Sequence, residues 1–444
     1  MTAIIADAVR RMLPQVLTDL KDLVAIPSVS ADPMHLSDVR RSADKTAELF
    51  RQSGFDDVRI VREGAGMPAV IARRPAPDGR PTVLLYAHHD VQPTGDVAAW
   101  TSPPFEATER GERLFGRGIA DDKAGIAAHL AAVRAHGDDL PVGVTVFVEG
   151  EEEVGSPTIE TVLATHRDLL RADVIVIADS GNWDIGRPSL TTTLRGLADC
   201  TVEVRTLDHA VHSGMFGGAA PDALTSLCRL LATLHHDNGD VAVQGISTAT
   251  AAELDYPVDR FRAESGLLDG VDIIGTGSIV EQTWARPAVS VLAIDSTRVA
   301  DASNTLIPSA RAKVSLRVPP GQDAHQALAR LTEHLQSHAP WGARVSVSDG
   351  DVGGAYAIDA SGPAYDAFRA ACEQAWGVPC IDIGVGGSIP FIAVFAELFP
   401  AASILVTGIE DPDTRAHGID EGLHLGEFEK VCLAEALLLD KLGG

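Results

Sequence analysis

Four short apolar stretches, rich in β-branched residues and bounded by Gly or Pro, are spaced along the chain. They cover residues 81–87, 144–150, 173–178 and 403–409. Continuous rather than alternating apolar character is typical of strands that are buried on both faces of a parallel sheet. Helical patterns such as that of residues 123–137 lie between the stretches, and this alternation predicts an α/β domain.

The middle of the chain has a different order of elements. Its pattern predicts strand, helix, strand, strand, helix and strand at residues 196–206, 221–236, 288–295, 311–318, 323–338 and 343–349. This β-α-β-β-α-β order is that of a ferredoxin-like unit. Because the apolar stretch 403–409 follows this unit and resembles the first half of the chain, we predict an insertion. Residues 1–194 and 353–444 would form one discontinuous domain, with residues 195–352 inserted into it.

The net charge and the cysteine content indicate which binding partners and which cellular compartment to expect. The 444 residues include 62 Asp and Glu against 36 Lys and Arg, which gives a net charge of −26. This sign opposes binding to a nucleic-acid backbone or to an anionic membrane surface, so we expect neither partner. Residues 1–30 have the pattern of an amphipathic helix rather than of a signal peptide. Five cysteines without a C-x-x-C pair indicate a reducing compartment, and we expect a cytoplasmic protein.

Acids and histidines follow the predicted strands, and two adjacent acids precede the helix at 123–137. They are His88 and Asp90, Asp121 and Asp122, Glu151–Glu153, Asp179, and His417. Taken singly, each has an ordinary explanation, such as a helix N-cap or a solvated loop. In α/β sheets, however, ligands bind beyond the carboxyl ends of the strands. Two histidines and several acids would suffice for a pair of zinc ions and leave one glutamate as a base, which predicts hydrolytic chemistry.

Together the motifs resemble those of the acetylornithine deacetylase, succinyl-diaminopimelate desuccinylase and carnosinase family of dinuclear zinc hydrolases, with the carnosinase-like dipeptidases as the closest branch. The matching motifs include YAHHDVQP (86–93), LFGRGIADDK (114–123), EGEEEVGS (149–156), HSGMFGG (212–218), NTLIP (304–308), LRVPPGQ (316–322), GGSIPF (386–391) and AHGIDEG (416–422). The resemblance implies an α/β zinc-peptidase catalytic domain with an inserted ferredoxin-like α+β domain that serves as a lid. It also implies a small peptide substrate and a homodimer formed through the inserted domain.

The resemblance also implies a role for each candidate residue of the metal site. Two Zn²⁺ per subunit, or Mn²⁺ or Co²⁺ in their place, would be bound by His88 and Asp179, by Glu153 and His417, and by Asp121 as a bridge. Asp90 would be the partner of His88, and Glu152 would be the general base. In relatives the peptide bond after the bridging acid is cis, so we expect a cis bond between Asp121 and Asp122.

Five further residues are implied in substrate binding. They are His212, Asn304, Arg317, Gly387 and Ser388. His212 would hold the substrate carbonyl oxygen and reach the neighbouring subunit's site, with Asn304 beside it. Arg317 would bind the substrate carboxylate through its planar fork, although it could also be an ordinary strand residue.

The predicted function is a metallo-exopeptidase that hydrolyses dipeptides by attack of an activated water on the peptide carbonyl. Asp179 favours this reading, because the dipeptidases of the resembled family tend to carry Asp there and deacylases Glu. Asp184 is a second candidate for the same ligand position. Two alternatives stay open: an N-acyl amino acid amidohydrolase on the same scaffold, and a non-catalytic protein that holds metal. The complete ligand set and Glu152 argue against the second alternative.

Overall fold

A computed structural model describes residues 2–387 and 390–444. The chain divides into two compact units. Unit 1 comprises Met1–Thr191, Asp359–Ile383 and Val394–Gly444, and unit 2 comprises Thr192–Ile358 and Gly384–Ala393. The sequence had assigned residues 384–393 to the first domain, whereas here they group with unit 2. The reason is that Arg195 donates hydrogen bonds to the carbonyl oxygens of Val385 and Gly386.

The secondary structure consists of eighteen strands and twelve helices within the described residues. The strands are β1 (Asp57–Val61), β2 (Ala69–Arg74), β3 (Thr82–His88), β4 (Thr108–Arg110), β5 (Arg113–Phe115), β6 (Gly143–Glu149), β7 (Val174–Gly181), β8 (Ser189–Leu194), β9 (Gly196–Arg205), β10 (Val211–His212), β11 (Ala288–Asp295), β12 (Thr305–Leu306), β13 (Ser309–Val318), β14 (Arg344–Gly353), β15 (Tyr356–Ala357), β16 (Ile381–Val385), β17 (Ser403–Glu410) and β18 (Gly422–His424). The helices are α1 (Thr2–Val24), α2 (Leu36–Gln52), α3 (Lys123–His136), α4 (Ile159–Thr165), α5 (Arg167–Leu170), α6 (Ser213–Phe216), α7 (Ala223–Ala232), α8 (Val258–Ser265), α9 (Ala324–Ser337), α10 (Pro363–Trp376), α11 (Pro390–Leu398) and α12 (Leu425–Gly443).

Unit 1 is built on a mixed sheet with the strand order β1-β2-β6-β3-β7-β17-β8. Its central strands β6, β3, β7 and β17 are mutually parallel, and they contain the four apolar stretches. The prediction of a parallel α/β sheet is therefore confirmed. Every position of β6 is buried, as is β3 from Val83 onward, which explains why the apolar runs are continuous rather than alternating.

The order of the four parallel strands creates a switch point in this sheet. Along the chain they come as β3, β6, β7 and β17, but in space they lie as β6-β3-β7-β17. The connections therefore leave β3 toward one side of the sheet and β7 toward the other. In open α/β sheets, ligands bind at the carboxyl ends of the strands beside such a reversal.

Three long helices of unit 1, α1, α3 and α12, pack on one another. Helix α3 is buried at every position from Lys123 to Val133, which accounts for its run of Ala, Gly and other small residues. The amphipathic pattern at the N-terminus forms α1, as predicted. Among the helices of the described residues, none is both long enough and apolar enough to cross a membrane.

Unit 2 contains a four-stranded antiparallel sheet with the order β11-β13-β9-β14, and α7 and α9 pack against it. The chain order β9, α7, β11, β13, α9, β14 confirms the predicted ferredoxin-like unit. Asp222 and Asp323 cap the two helices, since their carboxylates accept the backbone N–H groups of Thr225 and Gln326.

The segment 240–287, for which the sequence predicted no element, forms α8, a short π-helix at Glu281–Ala285 and otherwise turns and loops. Side-chain hydrogen bonds organise part of it. The Asp240 carboxylate accepts bonds from the backbone N–H and the hydroxyl of Thr276 and from the amide of Asn238. Such contacts leave no periodic pattern in a sequence.

Candidate metal centre

The carboxyl ends of the four parallel strands in unit 1 carry most of the residues that the sequence analysis singled out. His88 is the last residue of β3, and Asp179 lies near the end of β7, on the other side of the switch point. Glu152 and Glu153 follow β6 in a short 3₁₀ turn. His417 lies in the loop between β17 and β18. The sheet thus explains why residues so distant in sequence meet.

His88 forms one half of the cluster. Its side chain is fully buried, and its Nε2 lies 3.0 Å from Oδ1 of Asp121 and 3.8 Å from Oδ1 of Asp179. Glu152 Oε2 lies 4.0 Å from the same nitrogen. One imidazole nitrogen therefore faces three carboxylates, an arrangement that fits a bound cation.

His417 forms the other half of the cluster. Its Nε2 lies 2.9 Å from Oδ2 of Asp121 and 3.3 Å from Oε2 of Glu153. Asp121 thus turns one carboxylate oxygen toward each histidine, which is the arrangement of a ligand shared between two cations. The peptide bond between Asp121 and Asp122 is cis, as expected.

Asp90 contacts both His88 and the 3₁₀ turn Glu152–Val154, which we call the glutamate turn. The nearer partner of His88 Nδ1 is the backbone carbonyl oxygen of Asp90, at 3.0 Å, while a carboxylate oxygen of Asp90 lies at 3.4 Å. The Asp90 carboxylate accepts the backbone N–H groups of Glu152 and Glu153 at 3.2 and 3.1 Å. Asp90 therefore orients the His88 ring and positions two of the candidate functional residues.

The electrostatics of the cluster favour a positive ligand. Burial raises the pKa of Asp179 to about 7, and burial together with the charge of Asp179 raises the pKa of Glu152 well above its usual range. Hydrogen bonds with Asp121 and Glu153 raise the pKa of His417 to about 11. Carboxylates so close together repel one another, and cations would offset that repulsion.

The side chains of the cluster are suitable ligands for divalent metal ions. It consists of imidazole nitrogens and carboxylate oxygens, which suit zinc, manganese and cobalt. Asp184, the second candidate for the ligand position of Asp179, belongs to neither of the metal-ligand groups found among the described residues. Its backbone forms an isolated antiparallel β-bridge with Arg187.

Three polar residues of the site were missed by the sequence analysis. The side-chain amide of Gln92 donates to Oε2 of Glu153 at 2.7 Å, and the Gln92 backbone N–H donates to the other oxygen at 3.0 Å. Arg117 and Glu421 form a buried ion pair behind Asp121. All three lie within the quoted motifs, and this was the one indication in the sequence that they belong to the site.

Two other polar residues near the site are structural. The Glu151 carboxylate accepts the backbone N–H groups of Met67 and Thr158, both at 2.8 Å, and so anchors the start of the glutamate turn. His89 is fully buried, with Nε2 at 2.8 Å from the carbonyl oxygen of Pro68. Burial lowers its pKa to about 4, which keeps the ring neutral.

In unit 2 the structure brings His212 and Asn304 together. Strands β10 and β12 pair His212 with Thr305, and the N–H of Ser213 donates to the Asn304 carbonyl oxygen at 2.9 Å. The His212 side chain is exposed, and its Nδ1 accepts the N–H of Gly214 at 3.0 Å. Because Nδ1 is an acceptor, the neutral ring carries its proton on Nε2.

Arg317 lies on β13, half-buried and close to the buried Arg195. Burial and the charge of Arg317 lower the pKa of Arg195 to about 10, and burial lowers that of Arg317. Arg195 also donates to the carbonyl oxygen of Gly386, next to Gly387. Ser388 lies outside the described residues.

The chain is similar to known peptidases over most of its length. The family model of peptidase family M20/M25/M40 matches residues 84–441. A cysteinylglycine-S-conjugate dipeptidase of Corynebacterium striatum is 36% identical over 96% of this chain and 95% of its own length. A Beta-Ala-His dipeptidase of Rattus norvegicus is 28% identical over 95% of this chain and 92% of its own.

Among solved structures, the di-peptidase Dug1p from Saccharomyces cerevisiae has a TM-score of 0.84 at 23% identity, over 100% of this chain and 98% of that one. Human carnosine dipeptidase 1 has a TM-score of 0.83 at 24% identity, over 99% and 98%. At these identities the likeness shows a shared fold. With the family match over most of the sequence, the chain belongs to peptidase family M20/M25/M40.

Proposed function

We propose that the protein is a dinuclear zinc-dependent exopeptidase that hydrolyses dipeptides in the cytoplasm. The observation that carries the proposal is the position of Asp121, whose two oxygens face two different imidazoles, each with a further carboxylate nearby. The dipeptidase names of relatives that align over nearly the whole chain support the substrate class. All five cysteines are free, which suits a reducing compartment.

In this proposal each subunit holds two Zn²⁺, and Mn²⁺ or Co²⁺ would fit the same donors. His88 and Asp179 would hold one ion, Glu153 and His417 would hold the other, and Asp121 would be a ligand of both. When bound, the ions supply a water of lowered pKa and polarise the substrate carbonyl. The roles of Asp90 and Gln92 are to hold His88 and Glu153 in place.

Glu152 is the proposed general base. Its Oε2 lies 4.0 Å from Nε2 of His88, and Glu152 is the carboxylate near His88 that remains once each proposed ion has been assigned its ligands. Burial raises its pKa, so the carboxylate readily accepts a proton from the attacking water. The proton is held on Glu152 and is then given to the amine that leaves when the peptide bond breaks.

The residues of unit 2 would bind the substrate. Arg317 is the candidate for the substrate carboxylate, and the nearby positive charge of Arg195 adds to the attraction. His212 would donate from Nε2 to the carbonyl oxygen, with Asn304 beside it. Gly387 and Ser388 would contact the substrate. Asp179 supports a free substrate amine, since the resembled dipeptidases tend to carry Asp at this position.

The proposed homodimer is supported by the outer strand of the unit 2 sheet. On β11, Val291, Leu292 and Ile294 expose 41%, 59% and 45% of their surface. An exposed apolar edge strand is a natural site for pairing with a second copy. Leu292→Lys is expected to convert the dimer to a monomer in sedimentation experiments, whereas Leu292→Val should leave the dimer intact. A wild-type monomer at micromolar concentration would contradict the proposal.

The function is tested by product release from a pool of free dipeptides, N-acetyl amino acids and longer peptides, followed by mass spectrometry with Zn²⁺ or Mn²⁺ added. Cleavage confined to free dipeptides is expected. Cleavage of acylated substrates alone would make the protein an amidohydrolase instead. No turnover with either metal, together with tight metal binding, would favour a non-catalytic role.

The base and ligand roles are separated by a matched pair of variants. Glu152→Gln is expected to retain both ions and lose turnover by several orders of magnitude, because the amide cannot accept the proton. Glu153→Gln is expected to lose one ion. Metal content by mass spectrometry and the initial rate distinguish them. A Glu152→Gln enzyme with a near-normal rate would refute the base assignment.

A further inference from the structure

One buried ion pair connects the two segments of unit 1 that carry Asp121 and His417. Arg117 precedes Asp121 in the glycine-rich loop before α3, and Glu421 follows His417 in the loop before β18. The guanidinium Nη1 of Arg117 donates to Oε2 of Glu421 at 2.7 Å. Only 2% of the Arg117 side chain and none of the Glu421 side chain is exposed. We refer to these two residues as the Arg117–Glu421 pair.

Glu421 holds the loop that ends in Asp121. Its Oε1 accepts the backbone N–H groups of Ala120 and Asp121 at 3.0 and 3.2 Å. Its Oε2 accepts the N–H of Gly118 at 2.9 Å in addition to the Arg117 guanidinium. Four donors therefore converge on one carboxylate, and one of them is the backbone N–H of Asp121 itself.

Arg117 holds the loop that carries His417. Its Nη2 donates to the carbonyl oxygens of His417 and Gly418, both at 3.0 Å, and to that of Pro93 at 3.2 Å. The guanidinium also lies over the ring of Trp100, 5.4 Å from its centre. Arg117 thus contacts the backbone of His417 and of the residue after it.

The His417 loop requires such external contacts. His417, Arg415 and Asp420 all have a positive φ, at 61°, 57° and 57°. Left-handed backbone is unfavourable for residues other than Gly and persists only where the surroundings enforce it. The Asp420 carboxylate is held by the backbone N–H of Thr101 at 3.0 Å. At His417 itself, the bonds from Arg117 to two successive carbonyl oxygens provide that constraint.

We propose that the Arg117–Glu421 pair is a positioning device that fixes Asp121 and His417 relative to each other. Buried ion pairs add little stability compared with apolar residues, so the value of this pair lies in the backbone groups that it holds. Neither side chain supplies a proposed ligand atom, and the pair would act through the two loops on the ion that Asp121 and His417 share. The inference rests on the proposed metal ligands.

The test compares metal binding by the chelator-treated wild type with that of Glu421→Gln and Arg117→Lys. In Glu421→Gln an amide NH₂ would face backbone or guanidinium donors. In Arg117→Lys the charge remains, but the planar fork that reaches His417 and Gly418 is lost. Zn²⁺ competition titration is expected to show a loss of about 10- to 100-fold in affinity for one of the two ions. The other ion, which keeps His88 and Asp179 and shares only Asp121 with the disturbed loops, should lose less affinity.

A spectroscopic readout separates positioning from general destabilisation. Co²⁺ titration reports the geometry of each ion, and the absorption band of the affected ion should shift or broaden in both variants. The matched control is Asp19→Asn, which breaks a partly buried ion pair with Arg134 that belongs to α1 and α3. It is expected to lower the melting temperature while leaving both affinities and the Co²⁺ spectrum unchanged.

The outcomes are distinguishable. If Glu421→Gln and Arg117→Lys lower the melting temperature as Asp19→Asn does, but bind both ions as the wild type does, the positioning role is refuted and the metal site stands. If the wild type binds no ion, or if His417→Ala leaves both affinities unchanged, the proposed function fails and the positioning role fails with it. A larger loss of affinity for the ion bound by His417 than for the other ion, in both variants, would support the proposal.

Discussion

Replacing Asp90 by Asn should weaken the metal site without changing the volume of any side chain. The Asp90 carboxylate is fully buried, and each of its two oxygens accepts one backbone N–H, from Glu152 at 3.2 Å and from Glu153 at 3.1 Å. An amide has one acceptor oxygen and one NH₂ group. One of the two N–H groups would therefore face a donor, and the negative charge beside His88 would be lost.

The size of the effect follows from these contacts. Loss of a hydrogen bond to a charged group costs about 1.5–3 kcal/mol. Because the bonds hold the turn that carries Glu153, we expect metal affinity to fall by roughly 10- to 100-fold, the usual effect of removing a group that orients a ligand. That fall corresponds to about 1.4–2.8 kcal/mol, similar to the cost of the lost bond.

The assay has two parts. Urea unfolding of the chelator-treated protein gives the loss of stability, and Zn²⁺ competition titration gives the loss of affinity. Asp382→Asn is the control, because Asp382 pairs with Arg369 and 42% of its side chain is exposed. Exposed pairs contribute about 0–1 kcal/mol, and this one should not affect metal binding. An Asp90→Asn protein with wild-type affinity and stability would refute the reasoning about the glutamate turn.

Three further predictions concern the same unit. Gly118→Ala should destabilise the protein by at least about 1–2 kcal/mol, because the φ of residue 118 is +74° and the new Cβ would lie 2.3 Å from a Val91 methyl carbon. A variant with the same melting temperature as the wild type would contradict this prediction. Chelation should lower the melting temperature, because ligand at 1,000 times its Kd adds about 4 kcal/mol to stability, and an unchanged midpoint would argue against tight metal binding. Burial disfavours the protonated form of His129, but the nearby Glu435 carboxylate favours it more strongly, so the pKa of His129 is raised above the ordinary 6.5. The stability from this pair is therefore full below pH 6.5 and is lost as the pH rises through the raised value, so urea unfolding of wild type and Glu435→Gln should converge at alkaline pH.

The parallel sheet and the candidate ligands could be predicted because their signals are local. An apolar run such as 144–150 identifies a doubly buried strand without knowledge of its neighbours. The rule that parallel strands present their carboxyl ends at one edge then brings His88 and Asp179 together. The ferredoxin-like unit could be predicted for the same reason, since its strands and capped helices are each encoded over about ten residues.

The residues that the sequence did not indicate depend on contacts between distant segments. Glu421 follows another acid, Asp420, and no local pattern distinguishes the buried carboxylate from the one that binds the Thr101 backbone. The burial of Arg117 likewise depends on a loop three hundred residues away. For Asp90 the residue was identified from the sequence, but the hydrogen bonds of its carboxylate with the turn after β6 could be found only in the structure.

The separation of His417 from the other candidate ligands by the whole of unit 2 has a consequence for biosynthesis. The first ligand lies at residue 88, and the whole of unit 2 is translated before His417 and Glu421 leave the ribosome. Domains generally fold as units during synthesis. A nascent chain can therefore form β3, α3, β6 and β7 early, but the half of the cluster that contains His417 is completed only after the last parallel strand, β17, has joined the sheet. The proposed metal site would therefore be completed only after unit 2 has been synthesised, and a chain that stops before residue 417 would lack one of the proposed ligands.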